Sequence, residues 1–273
     1  MSFEKFSVNS GTDARQGSIL PPIAFGETLA EAAVTVPCYN EADRLQCNVF
    51  VDFVRKHRDI MFIFVDDGST DNTAQLLESM AQSETNNIRF ITLENNRGKA
   101  EAVRQGTLSA IAAGAKYVGY WDADLATPLN PILEFVAELK KNSHLLLVMG
   151  ARVQLLGRTI LRKRYRHYLG RVFATVASAV LRMPVYDTQC GAKMFVACES
   201  VALAFREPFI SRWVFDVEIL ARLVCRGKVN PQVAIFEYPL FDWHDVKGSK
   251  IKPKDFCIAL WDLARIHFAY KRC

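Results

Sequence analysis

No apolar run in this 273-residue chain approaches the length needed to cross a bilayer as a helix, which is roughly 20 residues. The longest, near residues 172–181, is rich in Ala and Ser. The N-terminus lacks the charged-then-apolar order of a signal peptide. Instead it is polar, with Gly11, Gly17 and the pair Pro21-Pro22, and residues 1–31 read as a flexible leader. CxxC pairs are missing as well. Seven cysteines lie scattered at Cys38, Cys47, Cys190, Cys198, Cys225, Cys257 and Cys273. That pattern argues against structural zinc and for reduced thiols in a cytosolic protein. Internal repeats and low-complexity segments are absent too. A large charge of one sign is also lacking: the net charge of +5 is too small to argue for nucleic acid and fits an anionic substrate or membrane surface.

What is present is a half-hydrophobic chain with an ordinary 23% of charged residues, enough for one sizeable core. Short apolar runs alternate with helical patterns from residue 32 onward. Strands are expected at 33–36, 61–65, 88–93, 117–121 and 145–149, and helices at 42–57, 71–81, 98–113 and 131–141. This succession predicts an α/β fold: an open, mostly parallel sheet with helices on both faces. Beyond Gly150 the pattern changes to a basic stretch over 158–171 leading into a long helix. A loop at 184–191, a helix near 214–225, a strand near 233–238, a polar loop at 242–250 and a final helix at 255–269 follow. Residues 32–273 read as a single domain, 32–152 forming one half and 153–273 the other.

The polar clusters fall just after expected strands. Tyr117-Val118-Gly119-Tyr120-Trp121 runs into Asp122-Ala123-Asp124. On an extended strand the two carboxylates would share a face and would repel each other unless a cation lay between them. Oxygen ligands suit Mg²⁺ or Mn²⁺, which also recruit phosphate oxygens. A solvated Asp-rich turn is the alternative for such a pair alone. Pro37-Cys38-Tyr39-Asn40-Glu41, Asp66-Asp67-Gly68-Ser69-Thr70-Asp71 and Asn95-Asn96-Arg97-Gly98-Lys99 follow the first three strands. In open α/β sheets ligands bind outside the carboxyl ends of the strands. Tyr39 is therefore expected to pack on a base or ribose beside Pro37, with Glu41 bonding to it. Asp66 and Asp67 offer acceptors to a pyrimidine N–H or a ribose hydroxyl. Arg97 and Lys99, around Gly98 at a helix start, are placed for phosphate or base.

These four motifs, with Val34 to Glu41 leading, resemble family 2 glycosyltransferases of the A-type nucleotide-sugar fold over about residues 34–152. The resemblance implies an inverting enzyme that uses a nucleotide-diphosphosugar donor and a divalent cation, with Asp122 and Asp124 as metal ligands. Residues 32–152 would then be the nucleotide-sugar half and 153–273 the acceptor half. Downstream, Asp187-Thr188-Gln189-Cys190-Gly191-Ala192-Lys193, Arg212-Trp213-Val214-Phe215-Asp216-Val217-Glu218 and Trp243 with Gly248-Ser249-Lys250 are similar to dolichyl-phosphate β-glucosyltransferases. Eukaryotic members commonly carry an N-terminal membrane helix that has no counterpart here. The narrower resemblance implies transfer of glucose from UDP-glucose to a polyprenyl or dolichyl phosphate. Mannose from GDP-mannose, or a soluble acceptor, are the alternatives.

For that reaction Ser249 and Lys250 are expected to close over the diphosphate, and His244 is a further candidate ligand for metal or phosphate. A lipid phosphate needs no general base, only cations to position it. Lys193, Arg212 and some of Arg162, Lys163, Arg164 and Arg166 are candidates. A hydroxyl acceptor would need a carboxylate base, with Asp216 first and Asp187 second. The final helix is amphipathic with a basic end at Lys271-Arg272. It packs on the core or lies on the cytoplasmic face of an anionic membrane.

Overall fold

The computed structural model describes residues 30–162, 164–246 and 253–271. The expected leader, Lys163 and the segment carrying Ser249 and Lys250 lie outside them, apart from the last two leader residues. Ala30 is buried, and Glu31 accepts from Lys140 at 2.6 Å, so the packed chain already includes these two.

A seven-stranded sheet organises the chain. Its strands are β1 (Ala32–Cys38), β2 (Ile60–Asp66), β3 (Ile88–Thr92), β4 (Tyr117–Trp121), β5 (Leu147–Ala151), β7 (Ala192–Val196) and β8 (Ile235–Pro239), in the order β3-β2-β1-β4-β7-β5-β8. Strand β7 runs antiparallel to both its neighbours, and every other pairing is parallel. The mostly parallel sheet is as the sequence pattern predicts. A second, two-stranded ribbon pairs β6 (Thr159–Leu161) with β9 (Asp242–His244).

Side-chain alternation puts both faces of the sheet under cover. Val34, Val36, Phe62 and Phe64 face α1 (Cys47–Lys56), α2 (Thr73–Ser83) and α4 (Pro131–Lys141) through Phe50, Leu77 and Phe135. Ala33, Ile63 and Val65 face the other way, onto α3 (Lys99–Ala112), α6 (Glu199–Arg206) and α7 (Phe215–Cys225). Each fully buried Phe or Leu contributes about 1.5–3 kcal/mol. A third cluster joins α5 (Arg164–Leu181) and α9 (Pro253–Tyr270) to α7 through Phe173, Ala177, Val217, Leu263 and Ile266. The short α8 (Pro231–Ala234) leads into β8. Among the described residues no helix is long and apolar enough to cross a membrane.

Two expected helix starts move. Helix α1 begins at Cys47, because residues 41–45 form a turn in which Glu41 O accepts from the backbone N–H of Arg44 and Leu45. Helix α2 begins at Thr73. Asp71 accepts from the backbone and hydroxyl of Thr73, while Ser69 accepts from Asn40 N–H at 2.9 Å.

Candidate active site

The carboxyl ends of β1, β4 and β5 open into one cavity of about 990 Å³, closed on its far side by α5 and by the segment before α7. Asp122 and Asp124 sit on its wall, but not on a strand. Strand β4 stops at Trp121, and Asp122-Ala123-Asp124 is a turn, so the shared-face argument from an extended chain is replaced by turn geometry. The turn is fixed from three sides. Asp122 N–H donates to Gly191 O at 3.0 Å. Leu125 adopts a left-handed φ of 55°, and Ala126 N–H then reaches Asp124 Oδ1 at 3.1 Å. Gly191 is required where it stands, since a Cβ there would overlap the Asp122 carboxylate.

The pair is electrostatically crowded. Burial and the neighbouring Asp122 push the Asp124 carboxyl above the usual range. Lys99, the first residue of α3, answers with an ammonium 2.5 Å from Asp122 Oδ1. Burial works against its charge, but Asp122 and Asp216 outweigh that and raise its pKa. Two clustered carboxylates with an all-oxygen donor set fit a hard divalent cation. Among the described residues no third His, Cys, Asp or Glu completes the set, which leaves coordination positions for the oxygens of a ligand. His244 is exposed on β9 and is not among the cavity walls, so the structure does not bring it to the pair.

The expected nucleotide residues divide into walls and supports. Pro37, Tyr39, Glu41, Asp67, Lys99 and Ala123 line the cavity. Glu41 is gripped by Arg44, at 2.9 Å and 2.5 Å. Asp67 is not an idle acceptor. Its two oxygens take the backbone N–H groups of Arg97 and Gly98, both at 2.7 Å, and burial lifts its pKa despite them. It therefore shapes the loop before α3. Asp66 is buried and accepts from Ser69 N–H, away from the cavity, and Arg97 is likewise outside the walls. Arg212 does line the cavity and also clamps that loop, donating to Arg97 O at 2.9 Å and to Asn96 O and Oδ1. Gly98, at φ 96°, lies against its side chain.

On the acceptor side the sequence expectation for Lys193 needs correction. Lys193 is fully buried on β7 and faces no open space. Its ammonium donates to Thr188 O at 3.0 Å, to Cys190 O at 2.7 Å and to Asp216 Oδ1 at 2.6 Å. The same Asp216 oxygen accepts from Tyr120 at 2.5 Å, a phenol whose pKa burial and Asp216 raise well above its ordinary value. Lys193 thus underpins the cavity through Asp216, which is itself one of the walls. Asp187, the second candidate base, is held at about 2. Burial alone would raise it, but the Arg152 guanidinium, at 2.6 and 2.7 Å, outweighs that.

Arg44, Arg152 and Tyr186 are wall residues that the sequence does not single out, while Asn96, Trp213 and Trp243 belong to its motifs without an assigned role. Arg152 was findable, since it follows β5 directly and the strand-end rule applies to it as to Asp122. Arg162 lines the cavity and forms no ion pair among the described residues. Burial and nearby Arg152 lower its pKa to about 10. Arg171 stacks on Tyr186 at 3.9 Å. The cavity is therefore lined by carboxylates with Lys99 and by several guanidinium groups.

Known proteins share this chain's pattern. The profile of glycosyl transferase family 2 matches residues 33–213. The dolichyl-phosphate beta-glucosyltransferase of Dictyostelium discoideum is 34% identical over 253 residues, covering 87% of this chain and 74% of its own. The Homo sapiens protein of the same name is 31% identical over 266 residues, covering 92% and 77%. Among solved structures, glucosyl-3-phosphoglycerate synthase from Mycobacterium tuberculosis, in complex with Mn²⁺, uridine diphosphate and glucosyl-3-phosphoglycerate, superposes with a TM-score of 0.61 at 18% identity. That match covers 87% of this chain and 80% of the other. A mannosyltransferase from Pyrobaculum calidifontis with GDP-Man and Mn²⁺ gives 0.54 at 16%, covering 89% and 64%. These two likenesses show the A-type glycosyltransferase fold. The matched profile and the curated relatives show more: the chain belongs to glycosyltransferase family 2, as a hexosyltransferase grouped with the dolichyl-phosphate β-glucosyltransferases.

Proposed function

We propose that the protein transfers glucose from UDP-glucose to a polyprenyl or dolichyl phosphate with inversion of configuration, using Mg²⁺ or Mn²⁺. The observation that carries the reading is a single cavity lined both by the Asp122 and Asp124 carboxylates and by the guanidinium groups of Arg152, Arg162 and Arg171, which we assign to the donor side and the acceptor side. Two anionic groups, a donor diphosphate and an acceptor phosphate, call for both sets. The names of the curated relatives supply glucose and dolichyl phosphate.

Asp122 and Asp124 would hold the cation, which when bound neutralises charge on the departing diphosphate. Lys99 adds a fixed positive charge beside the same oxygens. Tyr39, Pro37 and Glu41 border the space for the nucleoside, on a loop framework that Asp67 and Arg212 hold in shape. An acceptor phosphate is already anionic at neutral pH, so its oxygen attacks the anomeric carbon without giving up a proton to a base. Arg162 lines the cavity without a carboxylate partner among the described residues, and we assign it to the acceptor phosphate. Asp216, locked by Lys193 and Tyr120, serves as a rigid orienting wall between the two anions.

The test is transfer of labelled sugar from UDP-glucose and, separately, GDP-mannose into organic-extractable lipid, with Mn²⁺ or Mg²⁺ and with EDTA. Lipid label from UDP-glucose alone, lost with EDTA and in Asp124→Ala, is the expected result. Label from GDP-mannose would replace the sugar. Metal-dependent hydrolysis without lipid label would replace the acceptor by a soluble one.

A further inference from the structure

Residues 182–191 join α5 to β7 without helix or strand, so their path depends on hydrogen bonds to the elements around them. Near α5, Ser178 donates to Val185 O and accepts from Val185 N–H. Near β7, Lys193 donates to Thr188 O and to Cys190 O. Between these two anchors the backbone N–H groups are held by one side chain. The Glu237 carboxylate accepts from Tyr186 N–H at 2.9 and 3.0 Å and from Asp187 N–H at 2.8 Å. Glu237 lies on β8, partly buried, and is not among the cavity walls. Strand register explains why an acid stands there. Met149 on β5 pairs with Lys193 on one side and with Glu237 on the other, and residues paired in this way share a face of the sheet. The ammonium that braces Asp216 and the carboxylate that braces residues 186–187 therefore flank one methionine.

Each of the two residues that Glu237 holds carries a guanidinium of the cavity. Arg171 donates to Tyr186 O at 3.0 Å and stacks on the Tyr186 ring at 3.9 Å. Arg152 donates to Asp187 through its backbone at 3.1 Å and through both prongs of its side chain at 2.6 and 2.7 Å. Arg152, Arg171, Tyr186 and Asp187 all line the cavity. A two-pronged pair of this kind is fixed in direction as well as in distance, so a shift of the 186–187 backbone carries both arginines with it. We propose that Glu237 is a positioning residue for the acceptor. It touches no substrate, but it fixes residues 186–187 and through them the placement of Arg152 and Arg171 against the acceptor phosphate. The inference rests on the acceptor-phosphate reading for what the two arginines meet, and not for the bracing itself.

The experiment measures transfer from UDP-glucose to a polyprenyl phosphate by the full chain, with each substrate varied in turn. It compares wild type with Glu237→Gln, Arg152→Lys and the double variant. Glutamine keeps the shape of the side chain but turns an amide donor toward a backbone donor. Glu237→Gln is expected to raise KM for the lipid phosphate about tenfold, the scale of a misplaced binding group, with KM for UDP-glucose within about twofold. Because Glu237 acts through Arg152, the double variant is expected to show less than the product of the two single effects. Glu237→Asp keeps the charge with one methylene less reach, is read in the same way should the glutamine variant not fold, and is expected to raise the acceptor KM less. A variant that melts earlier with both KM values unchanged has lost only stability, and that result overturns the inference. Equal rises in both KM values, or single effects that multiply in full, overturn it too. A wild type that transfers no sugar to lipid sinks the acceptor reading instead. The bracing is then decided by the side-chain Nε–H NMR signals of isotope-labelled arginine in the same proteins. Signals of Arg152 and Arg171 that Glu237→Gln shifts sustain it, and unshifted signals overturn it.

Discussion

Lys193 shows how a side-chain type can mislead until its surroundings are known. In sequence it is a cation three residues after a cysteine, in a segment shared with lipid-phosphate glycosyltransferases. In the fold it sits on β7 between Tyr120 on β4 and Met149 on β5, with no exposure at all. An ammonium so placed is tolerable only because three oxygens surround it, Asp216 among them. Its removal leaves the Asp216 carboxylate buried, with the Tyr120 hydroxyl as its remaining hydrogen-bond donor among the described residues. Lys193→Ala is therefore expected to lower unfolding stability by about 3–5 kcal/mol, the range for breaking a buried pair, measured by urea denaturation. A lysine that only met substrate at a surface would cost under about 1 kcal/mol. An unchanged urea midpoint would return Lys193 to the acceptor role that its sequence context suggests.

The segment between α5 and β7 is held by its charges rather than by regular structure, and its stability should follow their titration. Asp187 accepts from the Arg152 side chain twice, from Arg152 N–H and from Gln189 N–H. Its carboxyl falls from an ordinary 3.8 to about 2 in the fold. A depressed acid stabilises the fold above its unfolded pKa and loses that contribution as pH drops through the folded one. About 2 kcal/mol should thus disappear between roughly pH 4 and pH 2. Asp187→Asn, less stable at neutral pH because Arg152 is left unpaired, should lose correspondingly less over the same interval. Parallel slopes for the two proteins in acid unfolding would remove Asp187 as the titrating group. Legibility varied by element in the same way. Strands β1 to β4 and helix α4 were readable because continuous apolar runs and a Pro at the first helical turn mark them. Strand β7 was not, since its buried lysine interrupts the run. Strands β6 and β9 have three residues each, too few for a period to show. The Asp122–Asp124 pair was found by spacing although its geometry is a turn, while Arg152 was passed over because its motif has only one charged residue.

At the scale of the molecule, the sheet order explains why one cavity can serve two anions. The N-terminal motifs lie beyond β1, β2, β3 and β4. The acceptor-side groups arrive from the far half of the chain, because β7 inserts between β4 and β5 and carries Gly191 against Asp122. The ribbon of β6 and β9 then brings Arg162, just after β6, and Trp243 into the lining of the same cavity. Groups that serve the donor and groups that serve the acceptor should be separable in kinetics. Arg162 has no carboxylate partner among the described residues and touches the cavity, so its loss should weaken one substrate alone. Arg162→Ala is expected to raise KM for the lipid phosphate by about 10- to 100-fold, the worth of one or two charge-assisted hydrogen bonds. KM for UDP-glucose should stay within about twofold, because uniform loss of acceptor binding does not reach the donor side. Arg162→Lys should recover part of the acceptor affinity, since charge is retained while the two-pronged guanidinium is lost. A rise in donor KM of the same size would place Arg162 on the diphosphate, and the assignment of the cavity to a donor side and an acceptor side would then have to be redrawn.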